Sequence, residues 1–238
     1  MKIFDYFKNK NRVDAGEGKR PGAAYKLWDV GFHGDKHLLN LVDYLMQQEV
    51  RYFIETGSNV GTTLTYVANQ YPSISCLSCE PDKTAFEHAL INTKNFSNVT
   101  LFNLLSQDLI REIDKNRKEL YGAKTMFWLD AHSYGFDWPL KDEIRFIARN
   151  FLNAYILIDD FKVPEYDCFG YDTYKDQVCA HEFIKDDFGG VSYQLFYPAY
   201  TERTSYHHPL QGWGLYVIGE NFTPPAHLQH MMREEKAA

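Results

Sequence analysis

Chemistry-bearing residues cluster at the ends of apolar runs in this 238-residue chain. The first cluster is Glu55-Thr56-Gly57-Ser58-Asn59-Val60-Gly61-Thr62-Thr63, which continues the run RYFI. Glycines at 57 and 61 permit a tight turn and let a following helix start close to a sheet, its N-terminus facing a polar or charged ligand. The spacing is not GxGxxG, because position 59 is Asn and the second glycine comes four residues after the first, and no GxxxxGK[ST] loop occurs. The second feature is Glu80, which ends the run SISCLSCE. An acid there can accept both ribose hydroxyls of a nucleoside, or simply cap the helix after Pro81. The third is a pair of acidic run-ends, Leu129-Asp130-Ala131-His132 and Ile158-Asp159-Asp160-Phe161. On neighbouring strands Asp130, Asp159 and Asp160 would converge, and gathering that much negative charge without a cation is costly. Oxygen ligands of this kind suit Mg²⁺, Mn²⁺ or Ca²⁺ rather than zinc. Successive strand residues face opposite sides, so Asp159 and Asp160 can share one ion only if the strand ends at Asp159; otherwise Asp160 caps the next turn.

The elements that must position these groups follow from apolar spacing. Leu38, Leu41, Val42, Leu45 and Met46 predict a helix within 35–48. From residue 51 strands and helices alternate: RYFIETGS, a helix through Leu64, Val67, Ala68 and Tyr71, then SISCLSCE and a helix through Phe86, Ala89 and Leu90. VTLFNLLS follows, with a helix through Leu109, Ile110 and Ile113, then TMFWLDAH and a helix opened by Pro139. AYILIDDF leads to a helix through Ala180, Phe183, Ile184 and Phe188, stopped by Gly189-Gly190, and to two last strands, SYQLFYPAY and GWGLYVIGEN. Nearly continuous apolar strands alternating with helices predict an α/β, Rossmann-like, doubly wound sheet, mostly parallel. Seven strands are expected, with the last pair antiparallel because no helix-length segment joins them. The expected organisation is an N-terminal arm and helical lid (1–50), a ligand-binding α/β domain (51–221) and a C-terminal tail (222–238).

Composition narrows the classes. The net charge is −7 and no dense Lys/Arg block occurs, which disfavours nucleic acid as partner. No apolar run reaches the ~20 residues that span a bilayer. The start, MKIFDYFKNKNR, does not read as a secretory leader, so a cytoplasmic location is expected. Residues 1–26 hold seven basic and three acidic side chains and read as a basic arm. Cys76 and Cys79 have CxxC spacing, but on a strand they would face opposite sides, so they read with Cys168 and Cys179 as reduced thiols. Tyr and Phe number 17 each, enough to line a cleft as well as fill a core, or to form a homo-oligomer interface.

ETGSNVG followed by the strand-terminal Glu80 resembles motif I and the next acidic motif of class I S-adenosylmethionine-dependent methyltransferases. The strand order from 51 to 221 is similar too. The resemblance implies that Gly57, Ser58, Asn59, Gly61 and Thr62 lie against the methionine part of S-adenosylmethionine. It makes Glu55 orient that loop or the amino group, and it places Glu80 on the ribose. Residues just after the third strand, Ser106 with Gln107 and Asp108, would meet the adenine. Asp130 with Asp159-Asp160 is similar to the ion site of metal-dependent sugar O-methyltransferases, and WLDAHSYGFDWPLKDEI looks like methyltransferases of surface-polysaccharide clusters. Mg²⁺ and a small-molecule acceptor, a carbohydrate or similar hydroxyl compound, are therefore expected.

In such a reaction the enzyme aligns an acceptor oxygen, a methyl carbon and a sulfonium sulfur. His132 lies two residues from Asp130, on the same side of an extended strand, and neutral imidazole is available at pH 7. His132 is thus the expected base, with metal ligation or orientation of Asp130 as its alternatives, and Asp130 the expected partner in catalysis. Tyr134, Trp138, Tyr166 and Tyr171 would rim an acceptor pocket. His207 and His208 are further candidates for substrate or metal contact, and His33 and His37 fall in a lid over 26–40. The competing readings are a metal-independent methyltransferase of a small molecule or protein that uses His132 alone, a nicotinamide-dependent oxidoreductase, and a non-catalytic scaffold.

Overall fold

The computed structural model describes residues 31–131, 138–205 and 208–235. Helix α1 (Lys36–Met46) comes first and is capped by the Asp35 carboxylate, which accepts from the N–H groups of His37 and Leu38. Strand β1 (Tyr52–Thr56) leads through the glycine turn into α2 (Thr62–Gln70). Then follow β2 (Ser75–Cys79), α3 (Lys83–Thr93), β3 (Val99–Phe102), α4 (Ser106–Asn116), β4 (Thr125–Leu129), α5 (Leu140–Asn150) and β5 (Ala154–Ile158). A small hairpin, β6 (Thr173–Tyr174) with β7 (Gln177–Val178), precedes the short α6 (His181–Ile184). Strands β8 (Tyr193–Pro198), β9 (Gly214–Ile218) and β10 (Met232–Glu234) complete the chain.

The main sheet runs in the order β10-β8-β9-β5-β4-β1-β2-β3. Strands β1 to β5 are parallel; β9 runs antiparallel to both β5 and β8. This is the Rossmann-like α/β sheet that the apolar pattern predicts. Every residue of β4 and β5 is buried, as a parallel sheet covered on both faces requires. The order reverses between β1 and β4, and ligands of such sheets bind outside the carboxyl ends at that point.

Three features differ from the expectations. Among the described residues the sheet has eight strands rather than seven, because Met232–Glu234, within the expected tail, pairs antiparallel with Phe196–Pro198 of β8. The segment MRE is too short to show a strand period, and its pairing is fixed by the edge that β8 offers. The helix expected through Phe188 is only four residues long and tightens into a 3₁₀ turn over Lys185–Phe188, closed by Gly189 at φ +59°. Strand β3 stops at Phe102; it is only half-buried and, among the described residues, stands at the sheet edge.

Two strand ends matter most. β4 ends at Leu129 and β5 at Ile158, each one residue before an aspartate. At the glycine turn, the N–H groups of Gly57 and Ser58 both donate to the Cys79 carbonyl at the end of β2. Gly57 has φ +82°, and a Cβ there would stand 2.5 Å from the Asp130 carbonyl oxygen. We expect Gly57→Ala to destabilise the fold by about 2 kcal/mol or more, through left-handed strain and this backbone clash. Gly122→Ala, with nothing within 4 Å of the added carbon, should change stability by less than about 0.5 kcal/mol. Chemical denaturation of both variants checks the contrast.

Candidate active site

The β1–α2 turn supplies the first part of the site. Asn59 takes the left-handed conformation at φ +49°, which Asn tolerates better than most residues. This lets its N–H reach the Glu80 carboxylate at 2.7 Å. The other Glu80 oxygen accepts the Asp82 N–H at 2.8 Å. Glu80 is buried, and burial raises its pKa against the lowering effect of these two N–H groups. Each oxygen has a second lone pair, so the bidentate geometry that two vicinal hydroxyls need remains available. Gly61 starts α2 in the left-handed conformation at φ +82°, where a Cβ would touch Ala89 at 3.3 Å. Thr62 is the first helical residue, and Ser58 is buried beneath the turn.

Below the turn lie two buried carboxyl groups. Glu55 accepts the Ser78 hydroxyl at 2.7 Å, and burial pushes its pKa up to about 8. Glu143, in the first turn of α5, accepts the Ser106 hydroxyl. It is 1% exposed, and burial raises it to about 7. Ser106 thus turns its hydroxyl inward at the start of α4 and anchors the residues expected beside an adenine. Glu143 was not anticipated. The signal was there, because it shares the helical spacing of Leu140, Ile144 and Ile147, where a charge is out of place.

The aspartates meet at the ends of β4 and β5. Asp160 adopts φ +48°, the left-handed region, two residues past the end of β5. That turn breaks the strand alternation and lets both Asp159 and Asp160 face one site. The Asp160 N–H donates to Asp159 Oδ1 at 2.8 Å, and the Gln211 amide donates to Asp160 Oδ1. A third group joins them. His33 Nε2 lies 2.8 and 2.7 Å from the two Asp159 oxygens. One ligand atom each from His33, Asp159 and Asp160 lies within 4.8 Å of the others. Asp130 is not in this group; its N–H donates to the Thr56 carbonyl, and it lies between the aspartate pair and the glycine turn. Its charge acts on His33, Glu55 and Glu80 alike. Burial alone would lower the His33 pKa, but the Asp159 carboxylate, backed by Asp160 and Asp130, raises it to about 9.

His33 was expected in a lid, not among the ligand atoms. The sequence signal was a histidine between glycines, Gly31-Phe32-His33-Gly34. His132, the expected base, and Tyr134 and His207 lie outside the described residues. His208 packs against His33 in a tilted arrangement, with ring centroids 4.9 Å apart. Trp138 packs inward, its indole N–H on the Ala131 carbonyl and its ring against Phe183. Tyr166 packs on Phe169 and beneath Arg233. A small cleft beside the cluster is lined instead by His33, Asp159, Arg203, Thr204, Gln211 and Trp213, among others.

With this geometry in place, the chain can be compared with known proteins. No protein-family model matches it, and no curated protein matches it. Solved structures do. An O-methyltransferase from Bacillus cereus, determined in complex with SAH, aligns with a TM-score of 0.53 at 14% identity, over 76% of this chain and 79% of that one. A Klebsiella pneumoniae protein assigned as an O-methyltransferase aligns at 0.54 and 15% identity, over 92% of this chain and 97% of that one. The fold is the class I methyltransferase fold. Among the described residues no helix is long and apolar enough to cross a membrane.

Glu143 gives a test of the buried acids. Its native pKa lies above the unfolded value, so the folded state holds the extra proton and loses stability as pH rises from about 4.5 to about 7. Glu143→Gln should remove the Glu143 share of that decline, on the order of 2–3 kcal/mol. Denaturation midpoints of both proteins across pH 4 to pH 8 check it (roughly the span of the titration).

Proposed function

We propose that the chain is an S-adenosylmethionine-dependent O-methyltransferase that methylates a hydroxyl of a carbohydrate or similar small molecule, assisted by a divalent cation. The observation that carries this reading is a convergence at one end of the sheet. The Gly57–Gly61 turn backed by Glu80 stands beside the Asp159–Asp160 pair, with Asp130 between them.

The residues fit both groups. Two carboxylate oxygens held by backbone N–H groups at Glu80 match a ribose diol, and the glycine turn leaves room for the amino-acid end. S-adenosylmethionine supplies an electrophilic methyl group on a sulfonium sulfur. A divalent cation supplies positive charge that lowers the pKa of a nearby hydroxyl. Glu55, Gly57, Ser58, Asn59, Gly61 and Thr62 would cradle the methionine part, and Ser106 would border the adenine. Asp159 and Asp160 would hold the cation, with Asp130 orienting the acceptor on the cofactor side. His132, the expected base, would accept the proton of the acceptor hydroxyl. Arg203, Thr204 and Gln211 line the cleft and carry side-chain groups able to hydrogen-bond a hydroxyl compound. Fold likeness by itself does not fix an acceptor, so the acceptor class rests on these side chains.

One observation favours a metal-free variant of the same reaction. A protonated His33 would itself offset part of the negative charge on Asp159, which it meets at 2.7 Å. Methyl transfer that persists in EDTA would select that variant.

Binding of S-adenosylhomocysteine tests the reading. Calorimetry should give one site per chain. Glu80→Ala, checked for folding by circular dichroism, should bind at least about tenfold more weakly, because two hydroxyl bonds to a charged group are lost. Absence of binding to the wild-type protein would overturn the reading.

A further inference from the structure

We propose that His33 is a direct ligand of the cation, delivered by the Gly31–Gly34 turn, and that the site therefore prefers a first-row transition dication such as Mn²⁺ over Mg²⁺. The proposal rests on Asp159 and Asp160 being cation ligands, and it is independent of which group the enzyme methylates.

The donor set comes first. Its two carboxylates are joined by an imidazole nitrogen from a residue 126 positions away in the chain. Carboxylates alone suit Mg²⁺ and Ca²⁺, whereas an imidazole nitrogen shifts preference toward transition ions. Both carboxylates are oriented by neighbours, as ligands of a defined site are. Asp160 accepts from Gln211, and Asp159 accepts the Asp160 N–H.

The backbone that carries His33 is held without help from the imidazole. Gly31, Phe32, His33 and Gly34 all have positive φ, at 89°, 46°, 58° and 64°. For Phe32 and His33 this costs on the order of 1 kcal/mol each, and it persists only where the surroundings over-determine it. They do so here. Phe32 is 0% exposed, edge-on to Trp128 at 4.9 Å and to Tyr66 at 6.0 Å. Its N–H donates to the Thr63 hydroxyl on α2 at 3.3 Å. A Cβ on Gly31 would meet the Thr63 Cα at 3.0 Å, so the turn can lie this close to α2 only with glycine there. The imidazole itself is not core packing, since its side chain is 16% exposed and lines the cleft.

The same contacts tie two sites together. The turn rests on the first residues of α2, the helix of the cofactor turn, and presents His33 to the end of β5. Residues 31–34 thus form a strap between the cofactor helix and the cation ligands.

Mn²⁺ titration of the metal-stripped protein, followed by electron paramagnetic resonance of the free aquo ion, tests the proposal. Wild type should bind one Mn²⁺, and Mg²⁺ should compete only at an excess of roughly a hundredfold or more. His33→Ala should bind Mn²⁺ at least about tenfold more weakly and lose the preference over Mg²⁺. His33→Asp, which restores three ligands as an all-oxygen set, should regain binding with Mg²⁺ now competing near parity. Both variants should keep wild-type affinity for S-adenosylhomocysteine, which also reports that they fold. Wild-type affinity and ion preference in His33→Ala would overturn the proposal while leaving the cation reading standing. No Mn²⁺ binding by the wild type would overturn both, and S-adenosylhomocysteine binding would then still decide the methyltransferase reading separately.

Discussion

The constraint on which the rest of this structure depends is the concentration of carboxyl groups at the carboxyl ends of β1, β2, β4 and β5. An acid removed from water must be neutralised, hydrogen-bonded or paired, and this chain uses all three answers. Glu55 and Glu143 are shifted toward the protonated form by burial, and each accepts a serine hydroxyl. Glu80 is held by two backbone N–H groups. Asp159 faces His33, and Asp160 accepts the Gln211 amide. A sheet that needed these positions only for stability could fill them with apolar side chains at lower cost. Keeping them acidic makes sense where ligands of complementary charge arrive, and a sulfonium cofactor and a divalent cation are both positive.

The fold supplies what holds the acids in place. Parallel pairing of β1 with β2 and β4 aligns their ends, and the order reverses there, so the glycine turn and the aspartate loops open onto one crevice. Left-handed backbone does the fine positioning. Asn59 aims an N–H at Glu80, Asp160 brings two successive carboxylates to one side, and the Gly31–Gly34 turn presents His33. Each case departs from ordinary helix or strand geometry, and each falls beside a candidate ligand group. That is where backbone strain is expected to be retained.

Much of the fold was legible because its signals are local. Apolar runs, helical spacing and glycine or acid stops marked the parallel core, while the exact end of β5, on which a shared ion depends, was left open and falls at Ile158. The candidate cofactor residues were legible for the same reason, since the turn and Glu80 fall within one strand–helix–strand unit. What the sequence hid is long-range. His33 joins Asp159 across 126 positions, and nothing local says that a Gly-Phe-His-Gly turn will bend onto a distant strand end. β10 has three residues and pairs only because β8 leaves an edge. Glu143 sat inside an apolar helical stripe and reads as part of that stripe until Ser106 is seen beside it.

The central claim is that a nucleoside cofactor and a divalent cation occupy adjacent positions at these strand ends. A crystal of the protein with S-adenosylhomocysteine and Mn²⁺, measured at the manganese absorption edge, tests it most directly. The account predicts ribose hydroxyls on Glu80 and an anomalous peak among His33, Asp159 and Asp160. A nucleoside bound away from the Gly57–Gly61 turn, or a site at these aspartates that stays free of manganese, would contradict it.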